Sequence, residues 1–148
     1  MEFVELTAPA DIKRQIQLLY SELFGSDAVP GDDVFEDIFR QHQEANIYHV
    51  AYGLMQENEV LAFFTLSEAF SVFAHGRYGV LNELWVHKDY RSQGLGQLVI
   101  EKVRELGRSR SWKRIDVTAP PGSDWDRTFE FYQRNGFKLT GRKLKTYL

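Results

Sequence analysis

Apolar residues fall at Ile12, Ile16, Leu19, Tyr20 and Leu23, and this three-to-four spacing predicts a helix over 10–24. Asp11 suits its positive N-terminal end. Gly25-Ser26-Asp27 and Pro30-Gly31 break the chain, and Asp32 or Asp33 then caps a second helix carrying Phe35, Ile38, Phe39 and His42. The pattern changes to extended runs over 47–55 and 60–66, with the turn Glu57-Asn58-Glu59 between them, which predicts a hairpin. Residues 67–76 show no clear period. Residues 77–87 read as a third strand of this run, apolar on both faces. A helical stripe returns at Leu95, Leu98, Val99, Val103 and Leu106, with Gly107 marking its end. A strand over 114–119 stops at Pro120-Pro121-Gly122. A further helix, capped by Ser123 or Asp124, runs to Asn135, where Asn135-Gly136 supplies a left-handed stop. One or two closing strands are expected over 137–148. The strand–helix–strand unit over 77–119 implies a right-handed parallel crossover beside antiparallel hairpins.

Composition narrows the class. A length of 148 residues suits one domain, 1–148, and 43% hydrophobic with 26% charged residues suits a folded chain rather than a disordered one. No apolar run approaches the roughly 20 residues of a membrane span, and Met1–Leu6 lacks the basic and apolar regions of a secretory signal. With no cysteine there are no disulfides, no thiolate metal ligands and no cysteine nucleophile. A soluble cytoplasmic protein is the expectation. The net charge of −3 hides an asymmetry: 1–75 carry three basic residues against 13 acidic ones, and 76–148 carry 15 against eight. An anionic ligand suits the second half and a cationic one the first, although solvated charge explains both halves equally simply. Nucleic acid is not an expected partner, because no basic run is long enough to track a phosphate backbone and the pI is about 5.8.

The most informative stretch is Tyr90-Arg91-Ser92-Gln93-Gly94-Leu95-Gly96-Gln97, which follows a strand and opens a helix. Two glycines let the backbone turn with its amides outward, and the helix start adds free N–H groups and partial positive charge. Together they predict a phosphate cradle, to which Arg91 adds a full charge. No lysine follows Gly96, which excludes the nucleoside-triphosphate P-loop. Val99 stands where a dinucleotide fingerprint has its third glycine. A tight turn without a ligand is the plainer reading of two glycines; the strand–loop–helix setting favours phosphate.

The order Glu83-Leu84-Trp85-Val86, then Asp89-Tyr90-Arg91-x-x-Gly94-x-Gly96, resembles the acetyl-CoA-binding motif of the GNAT family of N-acetyltransferases. Downstream, Phe131-Tyr132-Gln133-Arg134-Asn135-Gly136-Phe137 resembles that family's second hallmark. The likeness covers roughly 50–148, and the first 50 residues correspond to a variable part that shapes the acceptor site. Lys88 and Ser92 stand where the family commonly has proline and glycine, and Trp125 and Thr128 where it often has asparagine and a small residue.

The resemblance implies an α/β (α+β) fold with a mixed central sheet of about six to seven strands and about four flanking helices. Antiparallel hairpins would join a parallel pair that splays at the CoA site. It further implies that backbone amides of Gln93, Gly94, Leu95, Gly96 and Gln97 hold the diphosphate, with Arg91 and Ser92 also among the cofactor-binding residues. Leu84, Trp85 and Val86 would border the pantetheine arm, and the N–H near Val86 would polarise the thioester carbonyl. Trp125 and Thr128 would cover the far end of the cofactor.

Tyr132 is the candidate general acid, since a phenol with a reference pKa near ~10 is neutral at pH 7 and can protonate a thiolate. Glu83 is the candidate base: it lies in an otherwise mostly apolar strand, and burial would raise its pKa. A glutamate at a solvated mouth is an equally good reading. His42, His49, His75 and His87 lack metal-ligand spacing, so no metal is expected. Asp32, Asp33, Glu36 and Asp37 either attract a cationic amine or favour a helix start. Tyr20, Phe24, Phe35, Phe39, Phe70 and Phe73 either line an acceptor pocket or fill the core.

The expected activity is transfer of an acetyl group from acetyl-CoA to a primary amine of a small, cationic molecule, by direct attack in a ternary complex. A protein or peptide N-acetyltransferase is the alternative enzyme, and an acyl-CoA sensor the non-catalytic alternative. The resemblance and the aromatic-rich chain are compatible with a homodimer.

Overall fold

Phe63 and Phe64 are adjacent and both fully buried, so the strand that carries them must be covered on both faces. A computed structural model describing Met1–Leu148 shows how this is done. One five-stranded sheet has the order β1 (Glu2–Glu5), β2 (His49–Gln56), β3 (Glu59–Ser71), β4 (Gly76–Val86) and β5 (Ile115–Val117). The first four strands pair antiparallel, and β4 and β5 form the expected parallel pair. Helices α1 (Pro9–Phe24) and α2 (Asp32–Glu44) connect β1 to β2, α3 (Leu95–Ser109) connects β4 to β5, and α4 (Asp126–Arg134) follows β5.

Residues Met1–Asp116 and Val117–Leu148 form two units. In the first, Leu19 of α1 packs with Ala51, Phe63 and Trp85 on one face of the sheet, supported by Ile12, Ile16 and Leu23. On the other face Tyr52 stacks on Phe64, and Lys102 of α3 lies over the Tyr52 ring. The α3 stripe Leu95, Val99, Ile100 and Val103 is buried there. In the second unit the left-handed Gly136 (φ 88°) ends α4 where Asn135-Gly136 was expected to stop it. The Phe137 N–H then returns to the Tyr132 carbonyl, 3.0 Å away.

Several boundaries differ from the sequence pattern. The sheet has five strands rather than six to seven, because 137–148 form no strand. Lys138, Arg142, Lys143, Lys145 and Gly141 interrupt any alternating apolar face in that segment. β3 continues through the unassigned stretch to Ser71, and β5 is shorter than 114–119. Gly31, not Asp32 or Asp33, is the N-cap of α2, and both aspartates sit in its first turn. α4 begins at Asp126, after a short 3-10 turn over Ser123–Trp125.

Gly107 lies inside α3 instead of ending it. The reason is Trp112, whose ring packs so closely that a Cβ at Gly107 would sit 3.2 Å from it, and one at Gly79 only 2.4 Å. The same indole donates to Glu68 Oε1 at 2.6 Å and meets Tyr48 edge-on, while Arg110 bonds Glu68 and covers the Tyr48 ring.

Candidate active site

Glu83 owes its position to a bulge. Thr65 is opposite Glu83 but Leu66 is opposite Leu81, so Asn82 is an extra residue in β4. A bulge bends its strand and resets the alternation of faces and hydrogen-bonding edges. Leu81 therefore shares the α3 face with Leu66, while Glu83 shares the α1 face with Thr65, Phe63 and Trp85. Asn82 itself donates to Ser67 Oγ at 2.9 Å.

The Glu83 side chain accepts a hydrogen bond from the Thr65 hydroxyl. It is half-buried, and loss of water raises its pKa from 4.5 to about 7. At neutral pH the carboxyl is poised between its two protonation states.

β4 runs on past the bulge to Val86, whereas β5 is only three residues long. Gly79 N–H donates to Arg114 O at 3.0 Å, and in-step parallel pairing from there runs out of β5 at Val117, level with the bulge. Leu84–Val86 lie beyond it. His87 N–H points the other way, to Leu61 O at 2.9 Å. Since successive N–H groups alternate between edges, the Val86 N–H faces away from β3, toward the β5 side. This N–H is the one that the family resemblance pairs with a thioester carbonyl oxygen.

The loop that follows is built from left-handed residues. Ser92 has φ 61° and Gly94 φ 83°, so the family's usual glycine at the Ser92 position answers a real conformational demand. Gly94 is the N-cap of α3 and provides no side-chain acceptor for the first-turn amides. Leu98 N–H is the first to reach back, to Gly94 O at 3.2 Å, which leaves the N–H groups of Leu95, Gly96 and Gln97 ahead of the first helical bond. Residues 91–94 and Gln97 are exposed, and nothing lies within 4 Å of a Cβ built at Gly94.

Arg91 does not extend freely over this loop. Its guanidinium bonds Glu22 of α1 and, through Nε, the Val86 carbonyl at 3.0 Å. Glu22 also accepts from the Trp85 indole at 3.0 Å. One α1 carboxylate thus joins the end of β4 to the start of the loop. Neither sequence motif contains Glu22, and only its spacing from Ile12, Ile16 and Leu19 places it on the sheet-facing side.

The acidic cluster is partly neutralised: Asp32 pairs with Lys13 and Asp37 with Arg40. Lys13 leaves α1 on the side roughly opposite Glu22, so this pairing is turned away from Trp85. Phe35 is buried, whereas Phe24, Phe70 and Phe73 are exposed.

In the second unit Tyr132 is buried, with ring centroids 5.2 Å from Phe131 and 5.5 Å from Phe137. Burial pushes its phenol up to about 12. Trp125 stands at the N-cap of α4 and Thr128 in its first turn, both partly buried.

The profile described as "Acetyltransferase (GNAT) family" matches residues 13–137. The chain belongs to the GNAT acetyltransferase family. A comparison with curated proteins finds no match. Solved structures share the fold at low identity. A transcriptional regulator from Bacillus halodurans is 16% identical, with a TM-score of 0.81 and 99% of each chain covered. An aminoglycoside antibiotic 6'-N-acetyltransferase from Acinetobacter haemolyticus is 13% identical, with a TM-score of 0.74, 100% of this chain and 98% of that one covered. A ribosomal-protein-alanine N-acetyltransferase from Brucella melitensis biovar Abortus is 16% identical, with a TM-score of 0.73 and 100% of both chains covered.

GNAT membership implies acetyl-CoA as co-substrate, and the loop fits it: first-turn amides without a side-chain cap, beside exposed loop residues and open space around Gly94, suit an anionic diphosphate. No cluster of three or more His, Asp or Glu side chains is placed to hold a metal ion, and no helix is long and apolar enough to cross a membrane. Replacing Gly94 by Val tests the cradle. Its left-handed φ disfavours a β-branched residue by roughly 1–2 kcal/mol, and the side chain would enter the space over the amides. The Kd for CoA, read by calorimetry, should rise at least about tenfold. An unchanged Kd would remove the loop from the CoA site.

Proposed function

We propose that this GNAT enzyme transfers an acetyl group from acetyl-CoA to the primary amine of a small molecule, by direct attack within a ternary complex. The observation that carries the reading is Glu83, a half-buried carboxyl with a pKa raised to about 7, on the strand whose Val86 N–H faces away from β3. A base must be deprotonated enough to act yet basic enough to hold a proton, and a pKa near the working pH meets both needs.

Bound acetyl-CoA supplies an activated acetyl thioester. Amides of Leu95, Gly96 and Gln97 hold its diphosphate, with Arg91 bracing the loop, Leu84 and Trp85 bordering the arm, and Trp125 and Thr128 covering its far end. Val86 N–H donates to the carbonyl oxygen, where negative charge grows. Glu83 takes one proton from the amine, directly or through water. An N–C bond forms, the C–S bond breaks, and the departing thiolate accepts a hydrogen bond from the Tyr132 hydroxyl, then takes up the proton that Glu83 removed from the amine, through solvent. A phenol near 12 is neutral throughout the physiological range. Full transfer to a thiolate of ordinary pKa, about 8.5, is uphill by several kcal/mol. Tyr132 therefore acts chiefly through a hydrogen bond that strengthens as charge builds on the sulfur.

The test is thiol release from acetyl-CoA across a polyamine, an aminoglycoside, phenethylamine and an alanine-terminated peptide, a choice that includes the acceptor types in the names of two structural neighbours. Release that depends on a small amine supports the reading, release with the peptide alone points to a protein acceptor, and none with any acceptor defeats it. With an active amine, Tyr132→Phe should lower kcat about a hundredfold and leave the Kd for acetyl-CoA within twofold (~0.4 kcal/mol). An unchanged kcat would end the role of Tyr132 as hydrogen-bond donor to the departing sulfur.

A further inference from the structure

Gln15 is only 5% exposed, yet its side-chain carbonyl Oε1 has no hydrogen-bond partner. Buried polar atoms in folded chains are nearly always satisfied, and an orphan calls for an explanation. Its place on α1 suggests one. Gln15 and Glu22 are seven residues apart, two helical turns, and lie on one stripe. Glu22 reaches β4 at the Trp85 indole, and Leu19, between them, packs on Ala51, Phe63 and Trp85. Lys13, on the opposite side of α1, is engaged with Asp32 of α2. The Gln15 stripe is thus the one turned toward β4. On β4, the residue preceding Trp85 on that face is Glu83, opposite Thr65.

We propose that Gln15 is a specificity-determining residue of the acceptor site, selecting primary over secondary amines. Its Oε1 accepts one N–H of the neutral amine while the Glu83 carboxylate takes the other proton. The proposal rests on the amine-acetylation reading above. A neutral primary amine carries two N–H bonds. Acylation forms the N–C bond, breaks the thioester C–S bond and releases one amine proton, so the amide product keeps one N–H for Gln15. A secondary amine has a single N–H, which must leave, and its tertiary amide product has none. The Gln15 carbonyl would then stay buried and unpartnered. Sites built to bond a substrate N–H reject analogues lacking it far more strongly than apolar pockets reject a change of size.

The experiment compares the fastest amine of the panel with its N-methyl derivative, in the wild type and in Gln15→Met, which preserves length and removes the acceptor. The wild type should favour the primary amine at least about a hundredfold in kcat/KM. In Gln15→Met that ratio should fall about tenfold or more, with the KM for acetyl-CoA unchanged and Tm unchanged or raised. A ratio that Gln15→Met leaves intact overturns the proposal and spares the acetyltransferase reading. If Gln15→Met does not fold, Gln15→Leu replaces it. Failure of both to fold marks a structural glutamine and also overturns the proposal. If the wild type acetylates no amine, the functional reading fails separately. Thermal shift by phenethylamine then decides: a shift that N-methylphenethylamine does not give and Gln15→Met loses supports the assignment, and no shift rejects it.

Discussion

Glu83→Gln is expected to lower kcat at pH 7 by about a hundred- to ten-thousandfold while making the protein harder to unfold above neutral pH. The two effects share one cause. Burial raises the Glu83 pKa from 4.5 to about 7, so between those values the native state holds a proton that the unfolded chain has released. Stability then falls as pH rises through this window and levels off above it. A shift of this size corresponds to no more than about 3 kcal/mol at 1.36 kcal/mol per unit, and residual solvent contact reduces it to about 1–3 kcal/mol. Glutamine carries no charge and keeps an acceptor for the Thr65 hydroxyl. Urea midpoints of both proteins should therefore agree at pH 4 and diverge at pH 8, with Glu83→Gln the more stable. The rising limb of kcat/KM near pH 7 should vanish in the variant. A stability difference of equal size at pH 4 and pH 8 would show that the buried charge is not what the native state carries at cost.

The second large effect belongs to Gly79. A Cβ there would lie 2.4 and 2.5 Å from two Trp112 ring carbons, well inside contact distance. The ring is held where it lies, since Gly107 of α3 is close against it and Glu68 holds its indole N–H. Gly79→Ala should cost about 2–4 kcal/mol, at or above the upper end of ordinary overpacking. The control is Gly141→Ala, where nothing lies within 4 Å and the change should stay within about 0.5 kcal/mol. Denaturant midpoints followed by tryptophan fluorescence would compare them, and similar midpoints would show that Trp112 is loosely held.

The strand–loop–helix turn ahead of α3 and the burial of the Glu83 carboxyl were legible in the sequence because their signals are local. Two glycines ahead of an apolar helical stripe announce a strand–loop–helix turn, and one carboxylate in an apolar strand announces a special environment. Gln15 was not legible, because on a helix it reads as an ordinary polar position and only tertiary packing buries it. The Glu22 bridge joins residues 63 and 69 positions apart, beyond any local period. The closing strands were over-read: 137–148 contain strand-forming residues, but strands need partners and an uninterrupted face, and propensity alone supplies neither. Trp112 hid the fate of Gly107, which looked like a helix end and is a landing site for an indole.

A strand has a phase, and β4 has two. Before Asn82, odd-numbered N–H groups such as that of Gly79 point toward β5; after it, even-numbered ones such as that of Val86 do. The upstream half is committed to holding β5 and the α3 core. The downstream half places its carboxyl on the α1 face and its Val86 N–H on the β5 side. Loss of a single residue at the bulge would put both halves in step, leaving either the core leucine or the carboxylate on the wrong face. The count of residues between Leu81 and Glu83 decides which face of the sheet carries the carboxyl.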